Sequence, residues 1–281
     1  MIPIAEPFTG LLQAAARAMD EALWAAPCQE PRPGSRAAMC LATEAPPAYP
    51  GADLGPVGYG LGMVDFAFTS ALDHTYALGK ALEQEQRIGT PLAAVARGAL
   101  EAFGRAYYLF KSENPDGIIR SNTISMLSDA LGRRPAFKES PEYAKENDAY
   151  ILEMRSKANA LGIPKDEQRK GYSSYVYELL QDTTKLNRGP VTYSNLSAVA
   201  HCERAGFLQL SIAGPYGEVM WVITPNYLRT LVAPIIYCMP FTVNKWLDFY
   251  GVPKTEGRRV IFNDLCEELR HRLGVLEEAM E

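Results

Sequence analysis

Ionisable side chains embedded in apolar helical runs are where this chain could do chemistry. Between Pro91 and Lys111 the run PLAAVARGALEAFGRAYYLFK is apolar on nearly every side when wound at 3.6 residues per turn. Through it Arg97, Glu101 and Arg105 recur at four-residue spacing, with Tyr108 continuing the ladder. A carboxylate between two guanidinium groups is held charged, and inside a helical core such a ladder either locks the packing or faces a pocket. A second set lies in PVTYSNLSAVAHCERAG, where Tyr193, Ser197 and His201 are four residues apart and Arg204 follows one turn on. Two hydroxyls and an imidazole on one face can hydrogen-bond in series or converge on one pocket wall. A third pair, Asp73 and His74, sits in the middle of an apolar-periodic run.

Brought together, these residues would supply two imidazoles for acid–base work and guanidinium groups able to grip a carboxylate or phosphate. In that reading His74, Glu101 and His201 are the catalytic candidates, and Arg97, Arg105, Tyr193, Ser197 and Arg204 bind the ligand. The competing reading is a buried network that fixes helix register and does nothing else. A dedicated metal site is not expected, because Leu78 follows His74 and Ala205 follows His201 at the spacing where a second ligand would stand. Asp73, His74, Glu101 and His201 form the whole pool of credible ligands, and no cofactor is implied. No G-x-S-x-G elbow occurs, and Cys202 points about 100° away from its neighbour His201 on a helix, so it reads as a small core residue.

The elements that must position these groups are predicted to be helices, about eight or nine of them, in a mainly α bundle that forms a single domain over 1–281. They are expected over 8–26, 61–86, 91–111, 116–132, 140–162, 167–186, 190–204, 225–250 and 256–279, the last with Ile261, Leu265, Leu269, Leu273 and Leu276 on its apolar stripe and His271 outside it. The short connector RIGT makes the helices on either side an antiparallel hairpin that brings His74 and Glu101 within about one turn of the same depth. The Pro- and Gly-rich stretch 27–62 reads as a long loop or lid, and its GPVGYGLG cluster, with no preceding strand and no Gly-Lys-Ser/Thr, as turn chemistry rather than a phosphate cradle. Alternation at Leu208, Leu210 and Ile212 predicts a small β-hairpin near 207–224, opening a C-terminal layer over 207–281. Kinks are expected at Pro234 and Pro240, and Tyr172, Tyr175 and Tyr177 are expected to wedge between helices.

Composition bounds the function. With 281 residues and 47% hydrophobic content the chain can bury a full core, and a net charge of −5 gives no global attraction for a nucleic-acid backbone. Five widely spaced cysteines with no C-x-x-C pair imply reduced thiols and a cytoplasmic setting. The start MIPIAEPFTG does not read as a secretory signal, and Leu228–Phe241 is too short and proline-broken to span a membrane.

The segments D-H-x-x-A-L from Asp73, A-R-G-A-L-E-A-F-G-R-A-Y-Y-L from Ala96 and Y-S-N-L-S-A-V-A-H from Tyr193 resemble a group of uncharacterised all-helical actinobacterial proteins, distantly similar to HEPN nucleotide- and RNA-binding bundles. The resemblance covers about three segments. It implies an α-helical fold and a polar pocket near Glu101 and His201. None of the three histidines has an arginine five to seven positions before it, so the ribonuclease signature of that fold is absent. The expectation is therefore a cytosolic protein with a polar pocket between the 61–86, 91–111 and 190–204 helices. It would bind a small anionic metabolite, as a metal-independent acid–base enzyme of bacterial specialised metabolism. The alternatives are a HEPN-like nucleotide- or RNA-binding module using Arg133, Arg134 and Lys138, and a non-catalytic partner subunit that dimerises.

Overall fold

The computed structural model describes residues 5–24, 30–44, 54–83, 89–137, 139–184, 189–213, 219–221 and 223–280. Their organising element is the helix over Gly89–Phe110, here α4, whose Leu92, Ala96, Leu100, Phe103, Leu109 and Phe110 are fully buried. The helices before it are α1 (Glu6–Trp24), α2 (Arg36–Leu41) and α3 (Pro56–Leu82). After it come α5 (Pro115–Arg133), α6 (Pro141–Ala160), α7 (Tyr172–Thr184), α8 (Gly189–Ala200) and α9 (Arg204–Leu210). Two short strands, β1 (Ser211–Ala213) and β2 (Val219–Trp221), pair antiparallel with Ile212 opposite Met220, and α10 (Pro225–Phe249) and α11 (Gly257–Glu278) complete the order.

The small side chains of α4 leave room for α3, α5, α7, α8 and α10 to pack around it, which is why it is apolar on so many sides. Its contacts with α3 pair His74 with Gly98 and Phe68 with Phe110, so the two helices run antiparallel, as the short connector predicts. Beneath them Phe68, Phe110, Trp246 and Phe249 form an aromatic cluster, with Phe110 and Trp246 rings 5.1 Å apart at 69°. Edge-on and tilted pairs of this kind add roughly 0.5–1.5 kcal/mol each beyond area burial. One hydrophobic cluster takes residues from every helix but α6, whose Ile151, Met154 and Ala158 belong to two smaller clusters.

The mainly α class holds, with corrections in detail. Eleven helices stand among the described residues rather than eight or nine, because α2 forms inside the expected 27–62 loop and α9 covers Leu208 and Leu210, where the first strand was expected. Seven residues with alternate leucines fit a helix with one buried side as well as a strand, and only the three residues that follow them form β1. Residues 27–29 and 45–53 of the expected lid lie outside the described residues. The GPVGYGLG cluster is not a turn but the first turns of α3, with Gly55 as its N-cap. A Cβ on Gly60 would meet Ile118 Cγ2 at 2.7 Å, so that glycine serves the close approach of α3 to α5. Cys202 is exposed at φ 57 rather than in the core, because α8 ends at Ala200 and the chain turns there. α11 buries Leu269 and Leu273 as expected, but in its first half Ile261 is 53% exposed and Arg259, Phe262 and Cys266 are the buried positions instead.

Burial pushes the Asp65 carboxyl on α3 from 3.8 to about 6. Between those values the folded protein keeps a proton that the unfolded chain has lost, so stability falls as pH rises through the window and no penalty remains below pH 4. Asp65→Asn is therefore expected to raise stability at pH 7 by about 1–2 kcal/mol and to leave it unchanged at pH 4. Urea midpoints at the two pH values test this, and an equal gain at both would remove the ionisation argument.

Candidate functional site

The ladder on α4 splits in two. Arg97 Nε donates to Glu101 Oε1 at 2.7 Å and to Tyr193 Oη at 3.2 Å, and its Nη1 reaches Ser197 Oγ at 3.4 Å and His201 Nε2 at 2.5 Å. Tyr193 Oη donates to Glu101 Oε1 at 2.5 Å. Five predicted residues from α4 and the end of α8 thus meet around one guanidinium. An arginine can only donate, so in this contact His201 Nε2 is the acceptor. Burial first, then the Glu101 carboxylate, pushes the Tyr193 hydroxyl up to about 12, so it stays a donor. Arg97 and Glu101 cancel in charge, and every member is satisfied by another, which favours a register-fixing network whose exposed end is the His201 ring.

The remaining predicted residues lie elsewhere. His74 rests against Gly98, and its Nδ1 bonds the Ser70 carbonyl at 3.0 Å; no hydrogen bond or ion pair among the described residues joins it to Glu101. Equal depth in a hairpin does not fix azimuth, and His74 faces the gap that Gly98 leaves one residue past Arg97. Asp73 and Arg204 are exposed. Arg105 turns from the network altogether. Each four-residue step rotates about 40° around a helix, so Arg105 sits about 80° and 12 Å from Arg97. There it faces α5 and α7, donating to Asp129 Oδ2 at 2.6 Å and Tyr172 Oη at 3.1 Å.

Arg105 thereby holds the back wall of a cleft of about 520 Å³ whose lining includes Asp129, Arg133, Arg169, Lys170, Tyr172 and Tyr175. Tyr175 stacks on Tyr108 with rings 4.5 Å apart, and Tyr172 meets Tyr175 edge-on at 6.0 Å. This is the expected aromatic wedge, and it forms one side of the cleft. Tyr175 is 2% exposed and its hydroxyl has no partner of normal geometry, with Ser125 and Ser128 beside it. Lys170 lies over the Tyr108 ring at 4.5 Å and pairs with Glu178, as does Lys111. Burial alone would raise the Glu178 carboxyl, but hydrogen bonds from the two ammonium groups outweigh it and hold it below the usual value. Glu178 thus neutralises Lys170, and Arg105 neutralises Asp129. Arg133 and Arg169, both exposed, keep no ion-pair partner among the described residues. Lys138, expected beside Arg133 and Arg134, lies outside the described residues.

Sequence reasoning missed Arg169, Lys170 and Asp129. Their signal, adjacent cations in a connector and an acid directly after Ser128 in α5, is what any solvated surface shows. No group of three or more histidine, cysteine or acidic residues among the described residues is arranged to hold a metal, and no helix among them is long and apolar enough to cross a membrane. Comparison with protein-family models, with curated proteins and with solved structures gives no match, so function rests on the site's own geometry.

Proposed function

We propose that this protein binds a small anionic metabolite in the cleft between α5, α7 and the 169–171 connector. The observation that carries the reading is Arg133 and Arg169 facing one cleft with no carboxylate to neutralise them, beside a tyrosine wall braced by Arg105. Guanidinium groups offer planar, paired donors to carboxylate or phosphate, and charge-assisted bonds are the strong ones. The Arg97 network positions α8 against α4 in this reading. Neither His74 nor His201 lines this cleft, so the reading is of binding and takes no acid–base step from them.

Calorimetric titration of the full chain at low salt with inorganic phosphate, citrate and adenosine monophosphate tests the proposal. One of the three is expected to bind, and Arg133→Ala with Arg169→Ala is expected to weaken it roughly tenfold or more, the worth of one charge-assisted bond. Both side chains are exposed, so the double variant keeps its fold. No binding of any of the three at millimolar concentration defeats the reading. Binding only of single-stranded RNA, with affinity falling steeply in salt, would favour the nucleotide- or RNA-binding module instead.

A further inference from the structure

A second cavity, about 620 Å³, opens between the start of α3, α5 and α6. Its lining includes Tyr59, Asn122, Thr123, Met126, Tyr150 and Met154. It is unlike the cleft in chemistry: apolar side chains make most of its wall, with Met126, Met154 and two tyrosine rings among them, and Leu54, Tyr59 and Leu161 stand exposed at its edge. Methionine lines adaptable sites because its unbranched chain repacks around different shapes. Its polar lining includes Thr123, bonded to the Ile119 carbonyl, Lys157, paired with Glu153, and one buried group without a partner. Asn122 is 6% exposed, and its Oδ1 is buried without a hydrogen-bond partner among the described residues. Leaving such an acceptor unsatisfied is costly, and a ligand that donates to it would recover that cost. The volume lies in the range of sites for drug-sized molecules.

The two cavities share a wall. On α5 the spacing of Asn122, Met126, Asp129 and Arg133 is four, three, four, which puts all four within about 60° of one another around the helix. The first two line the apolar cavity and the last two line the basic cleft. At 1.5 Å per residue the run from Asn122 to Arg133 covers about 16 Å. Tyr150 stands in the apolar wall, yet its hydroxyl feels Arg133 and Asp129 as well as Tyr59, although burial is the largest influence on it. An apolar wall and a cationic wall on one helix stripe suit a molecule with one end of each kind.

We infer that the ligand is an amphiphilic anion, with an apolar body lying along Met126, Tyr150 and Met154 and a phosphate or carboxylate head held by Arg133 and Arg169. This rests on the anion-binding reading of the cleft and adds the apolar body to it. Each methylene that leaves water tightens binding, and two well-buried methylenes already outweigh about a tenfold affinity step.

The test titrates the full chain with three probes, each below its micelle concentration: inorganic phosphate, decyl phosphate and 1-decanol. Decyl phosphate is expected to bind at least tenfold more tightly than either of the others. Ala160→Trp, an exposed position on the cavity lining that can take a large ring without disturbing the core, is expected to abolish that advantage and to leave phosphate binding unchanged. Decyl phosphate binding no more tightly than phosphate overturns the inference while the anion-binding reading stands. Decanol matching decyl phosphate also overturns it, since the head then contributes nothing. If an advantage is seen but survives in Ala160→Trp, the tail lies elsewhere and the inference falls. If neither phosphate nor decyl phosphate binds, the inference falls together with the reading beneath it.

Discussion

Arg259→Ala is expected to lower the unfolding free energy by about 3–5 kcal/mol, the cost of breaking a buried, hydrogen-bonded charge. Arg259 is 2% exposed and is the largest fully buried side chain among the described residues. Its Nη1 donates to the Val252 carbonyl at 2.6 Å, its Nε to Asn244 Oδ1 at 2.8 Å, and its Nη2 meets Asp248 Oδ1 at 2.7 Å. Three segments, the end of α10, the turn after it and the start of α11, are held by one planar fork. Truncation would leave the Val252 carbonyl unpaired and open a cavity beside Phe262, so desolvation and packing losses add. Arg259→Lys should recover only part of the loss, because a single ammonium cannot span Asn244 and Val252 together in the same geometry. Urea unfolding reads this as a lower midpoint at unchanged slope. A loss under about 1 kcal/mol would mean that water replaces the guanidinium and that the fork carries little.

Arg259 also shows where the sequence was legible and where it was not. The long helices were readable because their apolar period is sustained; α1, α4 and α10 fall close to their expected bounds. Two adjacent arginines, Arg258 and Arg259, open α11, and residue type does not separate the buried one from the exposed one. Yet Arg259 is in phase with Phe262, Cys266, Leu269 and Leu273, a three-four-three-four spacing that identifies the buried side once the stripe is placed correctly. The expected stripe through Ile261 and Leu265 chose the neighbouring phase, and the arginine was lost with it. The same kind of ambiguity hid the start of α3. Glycines are ordinarily poor helix formers, so Gly58, Gly60 and Gly62 suggested a turn; what overrides propensity at Gly60 is contact with Ile118, fifty-eight positions further along the chain. Meeting of Arg97, Glu101, Tyr193, Ser197 and His201 was foreseeable from two four-residue ladders. That Arg105 would leave them for Asp129 was not, because the drift of the ladder around the helix matters only once α5 and α7 are known to lie there.

The same dependence on close approach makes Gly104 the second sensitive position. It lies on α4 where α7 crosses, and a Cβ built there would stand 2.9 Å from both the Tyr175 carbonyl carbon and the Val176 nitrogen. These are backbone atoms inside a helix, so no rotamer change relieves the contact and α7 must move as a body. Gly104→Ala is expected to cost about 1–3 kcal/mol despite the higher helix propensity of alanine, and Gly104→Leu more than about 3 kcal/mol. Gly62→Ala supplies the contrast: nothing lies within 4 Å of its Cβ position, so the same change in propensity should stabilise α3 by up to about 1 kcal/mol. Opposite signs at two helical glycines in one urea series would separate packing from propensity. A Gly104→Ala protein as stable as the parent would show that α7 yields easily. The position also reports on the cleft, since Tyr172 and Tyr175 ride on α7 and Arg105 follows Gly104 directly. In the fraction of Gly104→Ala that remains folded, phosphate affinity should fall although no cleft residue has changed. A displaced α7 moves the tyrosine wall away from Arg133, and charge-assisted hydrogen bonds weaken steeply once their geometry is lost.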